Sequence, residues 1–189
     1  MTIQDVHFTL KDGRAALLRS PLEEDIPGTL AYLVKSAGET EFIVRYPEEC
    51  GKYTVDGEKA IFAQKNASPN EAMIVCLVEG QVAGTCDIHF YTAIKTRHRC
   101  SVAIALLKDY WNQGIGTRMF RELIRLAEER EGVTQMELGF AEGNSRARAL
   151  YEKMGFRIVG VHPNALRLKD GALLNEYLMI RPLDAARHG

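Results

Sequence analysis

SVAIALLKDYWNQGIGT, Ser101 to Thr117, is the stretch from which the fold of this chain can be read. Val102 to Leu107 is a run of small and β-branched apolar residues, too short to span a membrane and suited to a buried strand. A polar link, Lys108-Asp109-Tyr110, leads into Asn112-Gln113-Gly114-Ile115-Gly116-Thr117. The spacing after it predicts a helix. Ile115, Met119, Leu123 and Leu126 form an apolar stripe, with Phe120, Ile124 and Ala127 beside it. Arg121, Glu122, Arg125, Glu128 and Glu129 fall off that stripe.

Strand, glycine turn and helix together make an anion site. The first helical turn has backbone N–H groups without partners, and the helix dipole adds partial positive charge there. Gly114 and Gly116 would let a phosphate approach that backbone closely. A turn that needs glycine only for its own geometry gives the same residues, so the glycines alone leave both readings open.

Three phosphate signatures compete for this window. A P-loop needs Gly-Lys followed by Ser or Thr, which occurs nowhere in the chain. The dinucleotide fingerprint needs glycine where Met119 stands, although Glu137 lies where its ribose acid would. The third is the [QR]-x-x-G-x-[GA] motif of the GNAT family of acyl-CoA-dependent N-acetyltransferases. Trp111-Asn112-Gln113-Gly114-Ile115-Gly116 resembles it, with Trp111 in place of Gln or Arg. Further on, Asn144, Ala147, Leu150, Tyr151, Gly155 and Phe156 resemble the family's second motif, N-x-x-A-x-x-[LF]-Y-x-x-x-G-F. Two motifs in order, separated by a strand, are far more specific than either alone. The resemblance covers about residues 14–182, within one domain expected over 1–189.

The whole chain fits a globular protein of 189 residues, 46% apolar and 26% charged. A net charge of −1 offers no bulk attraction to nucleic acid or to an anionic membrane. No apolar run reaches membrane-spanning length, and the polar start has no signal-peptide core. Cys50, Cys76, Cys86 and Cys100 lack metal-ligand spacing; buried free thiols and a cytoplasmic location are expected, with no metal.

In chain order, Arg14–Arg19 reads as a strand. A helix starts at Ser20-Pro21-Leu22-Glu23 and runs to about Lys35, with Gly38 as a breaker. Glu48–Lys65 is a second helical piece interrupted by Gly51 and Gly57. Met73–Glu79 and Val82–His89 read as strands joined by a hairpin at Gly80-Gln81. After the central strand and helix come a strand at Gln135–Phe140 and a helix carrying Ala147, Leu150, Tyr151 and Met154 on one face. Gly155 ends that helix, with Phe156 as the accompanying apolar contact. Strands follow at Arg157–Val161 and Leu174–Ile180, and the tail after Pro182 is expected to be loose. The order β, α, α, β, β, β, α, β, α, β, β predicts an α/β (α+β) fold. Its central sheet is mixed, mainly antiparallel and flanked by helices, the order that the GNAT fold uses.

The resemblance implies acetyl-CoA as co-substrate and direct transfer of its acetyl group to a primary amine of a small molecule or peptide. It implies pyrophosphate on the backbone of Gln113, Gly114, Ile115, Gly116 and Thr117, and the thioester carbonyl on the N–H of Leu106 or Leu107. It also implies Asn144 on the pantetheine arm and Tyr151 as general acid. Apart from the resemblance, Asn144 reads equally as a helix N-cap and Tyr151 as a core tyrosine. Arg118 could reach a CoA phosphate or lie solvated. No acid stands in Arg99-Cys100-Ser101, where some family members carry a glutamate. His89, His98, Glu39, Glu41 or a water relay are the candidate bases. The acids of Glu39–Glu49 would suit a cationic acceptor or be a solvated loop. A non-catalytic acyl-CoA sensor of the same fold is the alternative, and a homodimer is the expected assembly.

Overall fold

The computed structural model describes residues 1–183. By its contacts the chain falls into two compact units, Met1–His89 with Ala103–Met119, and Phe90–Val102 with Phe120 onward.

In the first unit β1 (Val6–Thr9), β2 (Ala15–Arg19), β3 (Glu71–Val78) and β4 (Gln81–Phe90) pair antiparallel in that order. β1 has no counterpart in the predicted order. It is only four residues long and alternates half-buried with exposed positions, so its apolar signal is weak. The hairpin turn between β3 and β4 is Glu79-Gly80, one residue earlier than predicted. Both residues sit at positive φ, 49° and 79°, as a two-residue type I′ turn requires.

The first helix, α1 (Ile26–Glu39), starts later than Ser20. Ser20 Oγ is already taken by the Ile3 N–H at 2.9 Å. A 3-10 turn, Glu23–Asp25, intervenes, and Asp25 accepts both Arg19 guanidinium nitrogens at 2.6 and 2.9 Å and the Leu22 N–H at 2.8 Å. α1 then runs through Gly38, because Ile26, Thr29, Tyr32, Ser36 and Ala37 make a continuous buried face. The second helical piece divides into a 3-10 turn at Pro47–Lys52 and α2 (Val55–Ala67), whose N-cap Thr54 accepts the Gly57 N–H at 3.1 Å.

β5 (Arg99–Leu106) belongs to both units. Its first residues pair parallel with β6 (Gln135–Ala141), from Arg99 opposite Gln135 to Ser101 opposite Glu137. β8 (Leu173–Pro182) lies antiparallel to both β6 and β7 (Arg157–Arg167). The strand order is β1-β2-β3-β4-β5-β6-β8-β7, the mixed, mainly antiparallel sheet expected.

α3 (Ile115–Glu129) encloses Ile115, Met119 and Leu123 of its predicted stripe, with Phe120 and Ala127 beside them, while Leu126 is half-buried. α4 (Ser145–Lys153) ends as its sequence predicts. Gly155 takes φ +85° and the Phe156 N–H returns to the Tyr151 carbonyl at 3.0 Å, which satisfies an otherwise orphaned acceptor.

Among the described residues no helix is long and apolar enough to cross a membrane. All four cysteines are buried free thiols. The expected loose tail lies, from residue 184, outside the described residues.

Candidate active site

In the first unit, the end of β5 and the start of α3 form one tethered segment. The Trp111 indole N–H donates to the Leu106 carbonyl at 2.9 Å, which fixes the intervening turn against the last strand residue. Lys108 lies over the Trp111 ring, 5.9 Å from its centroid. Asn112 and Gly114 both adopt positive φ, 63° and 88°. Open space lies in front of Gly114, with nothing within 4 Å of where a Cβ would be, so the turn leaves a cradle beside its backbone. The Gly114 carbonyl accepts the Arg118 N–H at 3.2 Å. Ile115, Gly116 and Thr117 therefore make up the first helical turn, where N–H groups have no intrahelical acceptor. The Gln113 side-chain oxygen is buried without a partner, so that amide has hydrogen-bonding capacity to spare. A pyrophosphate fits this chemistry: free backbone donors, a positive dipole end and room for close approach.

Leu106 and Leu107 differ. The Leu107 N–H donates to the Ala83 carbonyl on β4 at 3.0 Å, so it is occupied. In an antiparallel ladder the next N–H, that of Leu106, turns to the opposite side. Gly84 makes this closeness possible: a Cβ there would stand 2.4 Å from the Ala105 carbonyl oxygen and 3.1 Å from the Leu106 Cα. The Tyr32 hydroxyl, from α1, donates to the Ala105 carbonyl at 3.1 Å and lies 3.3 Å from Thr85 Oγ1. Burial pushes this phenol up from its usual range. Trp111, Gly84 and Tyr32 carry no motif signal, since their roles depend on cross-strand and helix-to-sheet contacts.

Other residues weighed in the sequence also fall in the first unit. Arg118 is exposed, its guanidinium 5.8 Å from the Phe8 ring centroid. Glu39 accepts the Lys108 N–H at 2.7 Å and so braces the link before Trp111. Glu49 accepts the Tyr46 N–H at 2.8 Å, a local cap. Glu41 is exposed. His89 Nδ1 stands 3.4 Å from Glu71.

The second unit holds Asn144, Tyr151 and the exposed His98. Asn144 is the N-cap of α4, its side-chain oxygen accepting the Ala147 N–H at 3.2 Å. That bond uses the oxygen and leaves the amide N–H groups for a ligand carbonyl. Tyr151 is buried in an aromatic cluster, with Phe120 and Phe140 meeting it edge-on at 5.5 and 5.8 Å. Burial pushes its phenol up to about 12, so it holds its proton throughout the neutral range.

The chain is similar to several known proteins. The family model described as the acetyltransferase (GNAT) family matches residues 38–156. An L-amino acid N-acetyltransferase of Escherichia coli (strain K12) is 26% identical over 113 residues, 60% of this chain and 69% of that protein. The crystal structure of an acetyltransferase of the GNAT family from Streptococcus pneumoniae matches with a TM-score of 0.82 at 24% identity, covering 89% of this chain and 99% of that one. A GNAT superfamily phosphinothricin acetyltransferase from Sinorhizobium meliloti, solved in complex with acetyl-CoA, matches with a TM-score of 0.76 at 19% identity, covering 92% of this chain and 91% of that one.

Proposed function

The chain belongs to the acetyltransferase (GNAT) family, an acetyl-CoA-dependent class of N-acetyltransferases, and from that premise we propose how its residues divide the work. Acetyl-CoA supplies an acetyl thioester, and an amine accepts the acetyl group. The backbone of Gln113, Gly114, Ile115, Gly116 and Thr117 holds the pyrophosphate at the head of α3. The amide of Asn144 holds the pantetheine arm. The Leu106 N–H, rather than the occupied one of Leu107, steadies the oxygen of the thioester carbonyl as negative charge develops on it. Tyr151 donates its proton to the departing thiolate. Residues 1–189 work as one catalytic domain in this reading.

The observation that carries the reading is the 2.9 Å bond from the Trp111 indole to the Leu106 carbonyl. It ties the glycine turn to the strand end in one segment, which supports a cofactor held at both points.

The acceptor binds as a cationic amine and loses a proton before it attacks. Buried free thiols support a reducing, cytoplasmic setting. Val159, Val161 and Leu178, exposed on the β7–β8 hairpin, support a homodimer through that hairpin, which light scattering would check.

The test has two parts. Acetyl-CoA should raise the unfolding temperature while NAD should not; a hundredfold excess over Kd is worth about 2.7 kcal/mol. Tyr151→Phe should keep that shift and lose about 10²–10⁴-fold in kcat, followed as CoA thiol release. Because the phenol titrates near 12, the wild-type rate should show no Tyr151 limb below pH 10. A Tyr151→Phe enzyme of wild-type kcat would remove the acid role.

A further inference from the structure

β3 and β4 present a polar face toward α1 and α2 in the first unit. Glu71 lies opposite His89 across the two strands, Met73 opposite Asp87 and Val75 opposite Thr85. One acid on this face holds two neighbours: Lys65 of α2 pairs with Glu71, and His89 Nδ1 lies 3.4 Å from the same carboxylate. Asp87 is left out. Among the described residues no hydrogen bond and no ion pair reaches its carboxylate, although the residue is only partly exposed. A carboxylate withdrawn from water without a partner is costly, and protein folds seldom keep one without a use.

Its position suggests the use. Thr85, two residues back on the same face, shares the Tyr32 hydroxyl with the Ala105 carbonyl. The Ala83–Leu107 bond fixes the antiparallel register, so Thr85 falls opposite Ala105 and Asp87 opposite Ala103. Ala103 is exposed. Ala103 and Ala105, both small, therefore lie on β5 between the position opposite Asp87 and Leu106. The distance along the strand from Asp87 to Thr85 is about 7 Å, which one amine or one bridging water spans. His89 lies a further two residues from that end and is held by Glu71.

We propose that Asp87 binds the acceptor ammonium beside Ala103 and Ala105 and takes its proton, directly or through one water. This rests on the acetyl-transfer reading above and supplies the base that reading lacks. The ammonium N–H proton passes to the Asp87 carboxylate, giving a neutral amine and a carboxylic acid. The amine nitrogen then bonds to the thioester carbon as the C–S bond breaks. The second N–H proton balances the thiolate's, so amide and CoA thiol form with one proton released to solvent from Asp87. The charged and titratable groups that act on Asp87 are Lys65 from α2, Glu71 from β3 and His89 from its own strand. Withdrawal from water, aided by Glu71, raises its carboxyl above the usual range against the pull of Lys65 and His89.

The experiment compares wild type and Asp87→Asn on spermidine, glucosamine, free amino acids and a peptide with a free N-terminus, by CoA thiol release from pH 6 to 10. Asp87→Asn should lower kcat/KM for the amine about 10²–10³-fold at pH 7 and recover much of it at pH 10, where the amine is neutral without help. Its acetyl-CoA thermal shift should equal that of wild type, which shows the fold intact. Wild-type kcat/KM in the variant at pH 7, or a loss that stays constant with pH, would overturn the role of Asp87 alone. A wild-type protein that turns over none of these amines would overturn this proposal together with the reading it rests on.

Discussion

Asp25 and Asp87 are both acids drawn into the first unit, and they are treated in opposite ways. Asp25 is 6% exposed and fully engaged, by two guanidinium bonds from Arg19 and one N–H from Leu22. Its two oxygens accept three protein N–H bonds. Asp87 sits on a sheet face where Lys65 pairs with Glu71 and His89 lies beside that same carboxylate. The first arrangement joins β2 to the start of α1 and has no capacity left for a ligand. The second keeps its capacity, at a cost in stability. The difference teaches that engagement, more than burial, separates a structural acid from one available for chemistry.

The largest effect should come from breaking the satisfied site. Asp25→Ala leaves Arg19 buried without its carboxylate and should cost about 3–5 kcal/mol, measured by denaturant unfolding. A loss below about 1 kcal/mol would show that water replaces Asp25 freely and would blunt the contrast. Gly84→Ala is the intermediate case, since it tests whether the register that brings Asp87 beside Ala103 is held tightly. The added methyl would press on the Ala105 carbonyl and the Leu106 backbone, which cannot swing aside as a side-chain tip can. A loss of about 1–3 kcal/mol and a marked fall in kcat are expected. The smallest effect is the most telling. The carboxyl of Asp87 is raised in the folded state, so its contribution to stability is present below the unfolded-state pKa and is lost as pH rises through the folded one. Asp87→Asn should therefore be as stable as wild type near pH 3 and slightly more stable at pH 7, by up to about 1 kcal/mol in thermal unfolding. An Asp87→Asn variant less stable at pH 7 would mean that the carboxylate has a structural partner after all.

How far the sequence could be read depends on distance along the chain. The glycine turn at Gln113–Thr117, the cap at Asn144 and the helix end at Gly155 are local, and each is written in a few adjacent residues. The α3 stripe is equally local, and its burial matches its periodicity. β1 escaped because a four-residue edge strand carries too little pattern. The start of α1 was misplaced because Ser20, a good N-cap by type, is bonded to Ile3, seventeen residues away. Asp87 was passed over for the same reason. VAGTCDIH reads as an ordinary strand, and only the folded structure shows that Lys65 pairs with Glu71 on its neighbour. The free N–H expected at Leu106 or Leu107 could be narrowed to Leu106 only once Ala83 was found opposite Leu107.

Trp111 is the single tryptophan of the chain, and its indole is hydrogen-bonded to the strand end that the acyl group is proposed to reach. The protein thus carries one indole fluorophore, placed between the glycine turn and the β5 terminus. Its emission should report the arrival of a ligand there without a label and should follow binding within a single turnover.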